Sequence, residues 1–242
     1  MIMAKPKYKR VILKLSGEAL LPPGSPYGIG LQVARGIAEE IKLVTDLGVQ
    51  VGVVVGAGNI FRGASGAADG GMDRSTADNM GMLATVINSL ALQDAMIRVG
   101  IPTRVLTSFP IHQVGEPFSQ RAATLHLSEG SAIVFAGGTG NPYFTTDTAA
   151  SLRALEVHAD VICKGTKVDG VYDTDPVKNP RAKRFDRLTP LEVIKQKLEV
   201  MDLTAISLCM DLNLPIVVFN MFAKGNFRKV VMGETIGTLV DG

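Results

Sequence analysis

Short, continuous apolar runs rich in β-branched residues recur along this 242-residue chain: "RVILKL" (10–15), "VGVVVG" (51–56), "TRVL" (103–106), "AIVFAGG" (132–138), "DVICK" (160–164) and "PIVVFN" (215–220). They do not alternate with polar residues, so they fit strands covered on both faces, as parallel strands are. Helical spacing lies between them. Ala34, Ile37, Ala38, Ile41, Val44 and Leu47 recur every three or four residues before Gly48, and Met80, Leu83, Ile87, Leu90 and Ile97 do so before Gly100. Residues 147–156 and 202–213 are two further helical candidates. Strands alternating with helices predict an α/β three-layer sandwich around a mostly parallel sheet, in a single domain over 1–242.

The first run carries a lysine, Lys14, followed by Leu15, Ser16 and Gly17. A charge inside a strand core is costly unless paired. Where a strand leaves the sheet, it faces the crevice in which open α/β sheets bind ligands. Three of the runs end in glycine with polar neighbours: "KLSG" (14–17), "VGAGNIFRG" (55–63) and "AGGTGNPYFTTD" (136–147). Glycine there lets backbone N–H groups approach an anion, and a following helix adds its positive end. With Lys14, Ser16, Arg62, Asn141, Thr145 and Thr146, these turns indicate a polyphosphate site.

The common nucleotide fingerprints are absent from the sequence. There is no GxxxxGK[ST], "GAGNIF" lacks the third glycine of the dinucleotide pattern, and no HRD or DFG occurs. Asp147 opens a helix, either as a cap (a role Thr146 also fits) or as a carboxylate holding Lys14. "KVDGVYDTDP" (167–176) is explained by turn chemistry except for Tyr172, a natural neighbour for a base or sugar. Asp202 heads another helix, and its position leaves a structural role and a functional one equally open. The glycine-rich stretch 63–73 reads as a mobile loop at the site mouth. Residues 177–187 read as a solvated basic loop, with weak nucleic-acid contact as the alternative.

Net charge is +2, from 25 Lys+Arg against 23 Asp+Glu, which argues against bulk nucleic-acid binding. Two cysteines, Cys163 and Cys209, and the scattered His112, His126 and His158 argue against a disulfide framework or a zinc site. Lys14 and Glu18 interrupt the first apolar stretch, unlike a secretory signal, and no run reaches the ~18 apolar residues of a membrane span. The expectation is a soluble cytoplasmic protein with neither nucleic acid nor membrane as partner.

"KLSGEAL", "VGVVVGAGNIFRG", "NMGMLATVIN", "GTGNPYFTTDTAA", "KGTKVDGVYDTDP", "VMDLTA" and "LPIVVFN" together resemble the bacterial uridylate kinases of the amino-acid kinase superfamily, from about residue 8 to 240. "KLSG" alone indicates only the superfamily, whereas "GTGNPYFTTD" with "KVDGVYDTDP" is specific. The resemblance implies the amino-acid kinase fold and transfer of the γ-phosphoryl group of ATP to UMP, giving UDP and ADP in pyrimidine nucleotide biosynthesis. It implies Mg²⁺ held mainly by nucleotide phosphates and not by protein ligands. It also implies catalytic roles for Lys14 and Asp147, and ATP-phosphate contacts along Lys14, Leu15, Ser16, Gly17, Gly58 and Arg62. Thr166, Tyr172 and Asp175 match contacts to the adenosine half. UMP would lie against Ala57, Asp78, Thr139, Gly140, Asn141, Pro142, Tyr143, Phe144, Thr145 and Thr146. A homohexamer activated by GTP and inhibited by UTP is implied as well.

Family members commonly read GGGN where this chain reads "GAGN", so a backbone contact at Ala57 requires that φ there not be positive. The acceptor also explains why no histidine stands near these loops. A phosphate monoester has its second pKa near about 6, so its attacking oxygen needs no general base. The competing readings are a superfamily kinase acting on carbamate or an acyl carboxylate, against which the long polar 139–146 loop speaks, and a non-catalytic nucleotide binder. Retention of Lys14 with Asp147 speaks against the second.

Overall fold

A computed structural model describes residues 5–61 and 71–242. In chain order its strands are β1 (Arg10–Leu15), β2 (Gln50–Val55), β3 (Thr103–Thr107), β4 (Glu116–Pro117), β5 (Ala132–Ala136), β6 (Val161–Thr166), β7 (Val171–Tyr172), β8 (Arg184–Phe185), β9 (Arg187–Leu188), β10 (Ile216–Asn220) and β11 (Thr238–Val240). Nine form one sheet in the order β4-β3-β5-β2-β1-β6-β10-β11-β9, parallel at every pairing except β10 with β11. β7 and β8 pair separately as an antiparallel ribbon.

The helices are α1 (Leu31–Thr45), α2 (Arg74–Arg98), α3 (Gln120–Ser128), α4 (Thr146–Glu156), α5 (Pro190–Gln196), α6 (Leu203–Asp211) and α7 (Asn226–Val231). Side chains alternate across a strand. Val11, Leu13 and Leu15 therefore join one core with α1, α2 and α7, whereas Ile12 points into a second core with α3 to α6. Burial on both faces explains the unbroken apolar runs. It also fixes Lys14, two residues after Ile12, on the α4 side of the sheet.

The six sequence-read strands recur within two residues of their expected bounds, but β4, β7, β8, β9 and β11 are too short to have left a periodic signal. The helix expected over 202–213 spans Leu203–Asp211, because Asp202 caps it and Asn213 turns to φ 52°. α2 corrects the simple reading of its periodicity. Met80, Leu83, Ile87, Leu90 and Ile97 are 39%, 50%, 51%, 37% and 53% exposed. The face turned to the protein is made of Ala77, Met82, Thr85, Asn88, Ser89, Leu92 and Met96. α2 is also long and apolar enough to cross a membrane by length and composition, with half of that window buried inside the protein.

β2 and β6 lie on opposite sides of β1, so the connections diverge at β1 and open a crevice at the carboxyl edge of the sheet.

Candidate active site

Lys14 and Lys164 are register partners on β1 and β6. Neighbouring strands are about 4.8 Å apart, so two ammonium groups would crowd each other without a counter-charge. Asp147, in the first turn of α4, supplies it. Lys14 Nζ lies 2.5 Å from Asp147 Oδ1, and Lys164 Nζ lies 3.3 Å from Oδ2. Lys164 also donates to the Val200 carbonyl. Burial pushes the Asp147 carboxyl up, but the two lysines outweigh it and hold the group below the usual carboxylate range. Lys164 moves down, through burial first and the charge of Lys14 second, with Asp147 and Asp202 opposing. Nothing in "DVICKGT" sets Lys164 apart from any residue at a strand end; only the register with Lys14 marks it.

The cap of α4 is neither Asp147 nor Thr146 but Thr145, whose hydroxyl accepts the N–H of Asp147 at 3.0 Å and of Thr148 at 3.4 Å. That leaves the Asp147 carboxylate for the lysines. Thr145 in turn donates to Asp202. Asp202 caps α6 through the Ala205 N–H at 2.9 Å and accepts the Thr148 hydroxyl at 2.9 Å. Its role here is to tie α4 to α6.

The glycine turns meet above Lys14. A Cβ on Gly17 would stand 2.5 Å from Asn59 Oδ1 and 2.6 Å from Gly58 N, so only hydrogen fits. Ser16 caps the short 3₁₀ turn Gly17–Leu20 by accepting the Glu18 N–H at 3.3 Å. The Leu15 side chain is fully buried, so only its backbone can reach a ligand. The non-glycine residues with positive φ are Tyr143, His158, Lys197 and Asn213 among the described residues; Ala57 is not one of them, so its methyl is accommodated. Arg62, and the stretch 63–73 as far as residue 70, lie outside the described residues.

Beside the lysines, a cavity of about 200 Å³ is lined by Ala57, Asp78, Thr139, Phe144, Thr145 and Thr146 among others. Asp78 accepts Arg74 Nε and the Tyr143 N–H, each at 2.8 Å, and so holds Tyr143 at φ 72°. Within the same loop the Thr139 hydroxyl accepts the Asn141 N–H at 3.1 Å, and Gly140 adopts φ 80°. Pro142 follows Asn141 toward this held turn, within the same described loop. Two residues absent from the sequence reading support the loop. Ser108 Oγ donates to the Gly138 carbonyl at 2.6 Å, and the buried Arg153 donates to Ser108 Oγ at 3.2 Å while its guanidinium sits 3.7 Å over the Phe118 ring. Burial lowers the pKa of Arg153, against the opposing charge of Glu156. Neither residue belongs to a recognisable motif.

A second cavity, of about 510 Å³, is lined by Tyr172 and Asp175 together with Lys178, Gln196, Leu198 and Glu199. Turn chemistry builds its wall: Tyr172 donates its hydroxyl to Asp169, and Asp175 accepts the Val177 N–H at 2.9 Å. Thr166 stands at the end of β6, bonded to the Val168 carbonyl at 2.6 Å, outside that lining. His126 pairs with Glu116 at 2.9 Å, away from the lysines. Among the described residues no group of three or more His, Cys, Asp or Glu is arranged to hold a metal ion.

Residues 9–220 match the amino acid kinase family over most of the chain. The chain belongs to the amino acid kinase family. Solved structures agree. The UMP kinase from Bacillus anthracis is 41% identical with a TM-score of 0.92, the alignment covering 97% of this chain and 96% of that one. The UMP kinase from Ureaplasma parvum is 36% identical with a TM-score of 0.88, covering 98% and 100%. The uridylate kinase from Archaeoglobus fulgidus is 29% identical with a TM-score of 0.70, covering 95% and 99%. The nine-stranded, mostly parallel sheet is thus the amino-acid kinase fold expected from the sequence.

Proposed function

We propose that this family member is an ATP:UMP phosphotransferase, making UDP and ADP in pyrimidine nucleotide biosynthesis. The observation that carries the reading is the Lys14–Asp147–Lys164 constellation at the carboxyl edge, between two cavities. Its likeness to UMP kinases at 41% and 36% identity supports the same reading. Phosphoryl transfer asks the protein for in-line positioning and for positive charge on the transferring oxygens. In this account Lys14 and Lys164 follow those oxygens, and the N–H groups of Ala57 and Gly58 complete the cradle around them. Asp147 is held anionic by both lysines, so it is too weak a base to take a proton; its part is to orient them. UMP needs no base.

The acceptor takes the smaller cavity, with Asp78 and the 139–146 loop around it, and the adenosine half takes the larger one, with Tyr172 and Asp175. Both Asp147 oxygens already face ammonium groups, which fits Mg²⁺ resting on triphosphate oxygens. Bound there, Mg²⁺ neutralises phosphate charge. Self-association as a homohexamer belongs to the proposal, and the exposed apolar stripe of α2 supports it. Activation by GTP and inhibition by UTP rest on the family resemblance, and a cytoplasmic location on the two free cysteines, which suit a reducing compartment.

The test is ADP release with Mg²⁺·ATP and UMP, CMP, dUMP, carbamate and N-acetylglutamate side by side. Turnover with UMP and none with the two non-nucleotides is the expected result. Turnover with carbamate or N-acetylglutamate alone would mean a different acceptor, and silence with all five despite ATP binding would mean a non-catalytic binder.

A further inference from the structure

The 56–58 turn is not free to choose its orientation. Behind it Asn59 and Asn88 are 1% and 0% exposed and form a reciprocal amide pair. Asn59 Nδ2 donates to Asn88 Oδ1 at 2.9 Å, and Asn88 Nδ2 donates to Asn59 Oδ1 at 2.7 Å. The second hydrogen of each amide reaches backbone. Asn59 Nδ2 donates to the Gly28 carbonyl at 2.9 Å, and Asn88 Nδ2 donates to the Gly56 carbonyl at 2.7 Å. Both amides thus spend all their donors inside the protein.

A trans peptide points its C=O and its N–H in opposite directions. Fixing the Gly56 carbonyl on Asn88, within the α2 layer, therefore turns the Ala57 N–H away from α2. Among the described residues neither the Ala57 nor the Gly58 N–H meets an acceptor, and Ala57 lines the smaller cavity. Asn59 Oδ1 also stands 2.5 Å from where a Gly17 Cβ would be, so the same pair sets the spacing between the two glycine turns.

We propose that Asn88 and Asn59 are positioning residues for phosphoryl transfer: the pair aims the Ala57 N–H group at the transferring phosphate and touches no substrate itself. The inference rests on reading that turn as the phosphate contact of a kinase. Asn88→Asp keeps the shape but replaces the donor to Gly56 O by a second oxygen, which turns the peptide. Asn88→Ala removes the donor without adding charge. Ser89→Ala is the control: Ser89 is a buried neighbour whose hydroxyl donates only to the Thr85 carbonyl at 2.7 Å, so it reports destabilisation of α2 alone.

For each variant the melting temperature, kcat, KM for ATP and UMP, and calorimetric affinity for Mg²⁺·AMPPNP are measured. The expected result is a kcat loss of about 30- to 100-fold in either Asn88 variant, as an ångström-scale misplacement implies. UMP KM should rise about tenfold, because Ala57 lines the cavity given to UMP, and AMPPNP affinity should fall about tenfold, while Ser89→Ala keeps near-normal kcat at a comparable melting temperature. Normal kcat in a folded Asn88 variant, or an equal kcat loss in Ser89→Ala, overturns the proposal. If the unmodified protein does not phosphorylate UMP, the kinase reading fails separately. AMPPNP affinity then decides: weaker binding in Asn88→Asp supports the positioning role, and unchanged binding refutes it.

Discussion

Adding one methyl group to Gly17 tests the close approach of the two glycine turns. The new Cβ would meet Asn59 Oδ1 at 2.5 Å, Gly58 N at 2.6 Å and the Ala57 carbonyl carbon at 2.8 Å, whereas ordinary contact begins at 3.4 Å. Two of these neighbours are backbone, and the third is locked in the amide pair with Asn88, so none can swing aside. Relief from 2.6 Å therefore requires the turns to part by about 0.8 Å. Overpacking of this kind costs about 1–3 kcal/mol. A displacement near 1 Å in a phosphate cradle costs about 100-fold in rate. We expect Gly17→Ala to fold, to lose a few degrees of melting temperature and to lose about two decades of kcat with UMP saturating. Coupled ADP release with both substrates varied, beside thermal unfolding, reads both effects. Wild-type kcat with an unchanged melting temperature would refute the reasoning, because it would mean that the turns do not meet.

Lys14→Ala should lower kcat by about 100- to 1000-fold, the scale for removing a preorganised charge at a developing anion, with UMP affinity nearly kept; titration calorimetry with UMP separates the two. Asp78→Ala removes charge-assisted bonds to Arg74 and the Tyr143 N–H, worth roughly 1.5–3 kcal/mol for such a bond, so UMP KM should rise about tenfold or more while ATP KM holds. Asp147→Ala leaves Lys14 and Lys164 facing each other and should cost about 3–5 kcal/mol in urea unfolding at pH 7. The Asp147 carboxyl is depressed in the fold, so its stabilisation is present above the ordinary value of 3.8 and is lost as pH falls through the folded value. The gap between wild type and Asp147→Ala should therefore narrow below about pH 4, and a gap independent of pH would contradict the pairing.

The sequence made the frame and half of the site readable. Continuous runs such as "RVILKL" and "AIVFAGG" are strongly determined because both faces of those strands are buried, and Lys14 stood out because it interrupts such a run. What escaped depends on register or on single hydrogen bonds. Lys164 matters only because it is the register partner of Lys14. Thr145 caps α4 ahead of two equally plausible neighbours. Ser108 and Arg153 hold the Gly138 turn from elements distant in sequence, and the amide pair joins residues 29 apart with no periodic signature. The apolar stripe of α2 was visible, but periodicity reports that a face is apolar and not what covers it.

Following the γ-phosphoryl group itself tests the central claim most directly, since ADP release alone does not distinguish transfer from hydrolysis. With γ-³²P-labelled ATP, Mg²⁺ and UMP, we predict that the label moves into UDP, that this requires UMP, and that it is nearly abolished in Lys14→Ala. Label appearing only as inorganic phosphate, or in UDP at an undiminished rate in Lys14→Ala, would contradict the account.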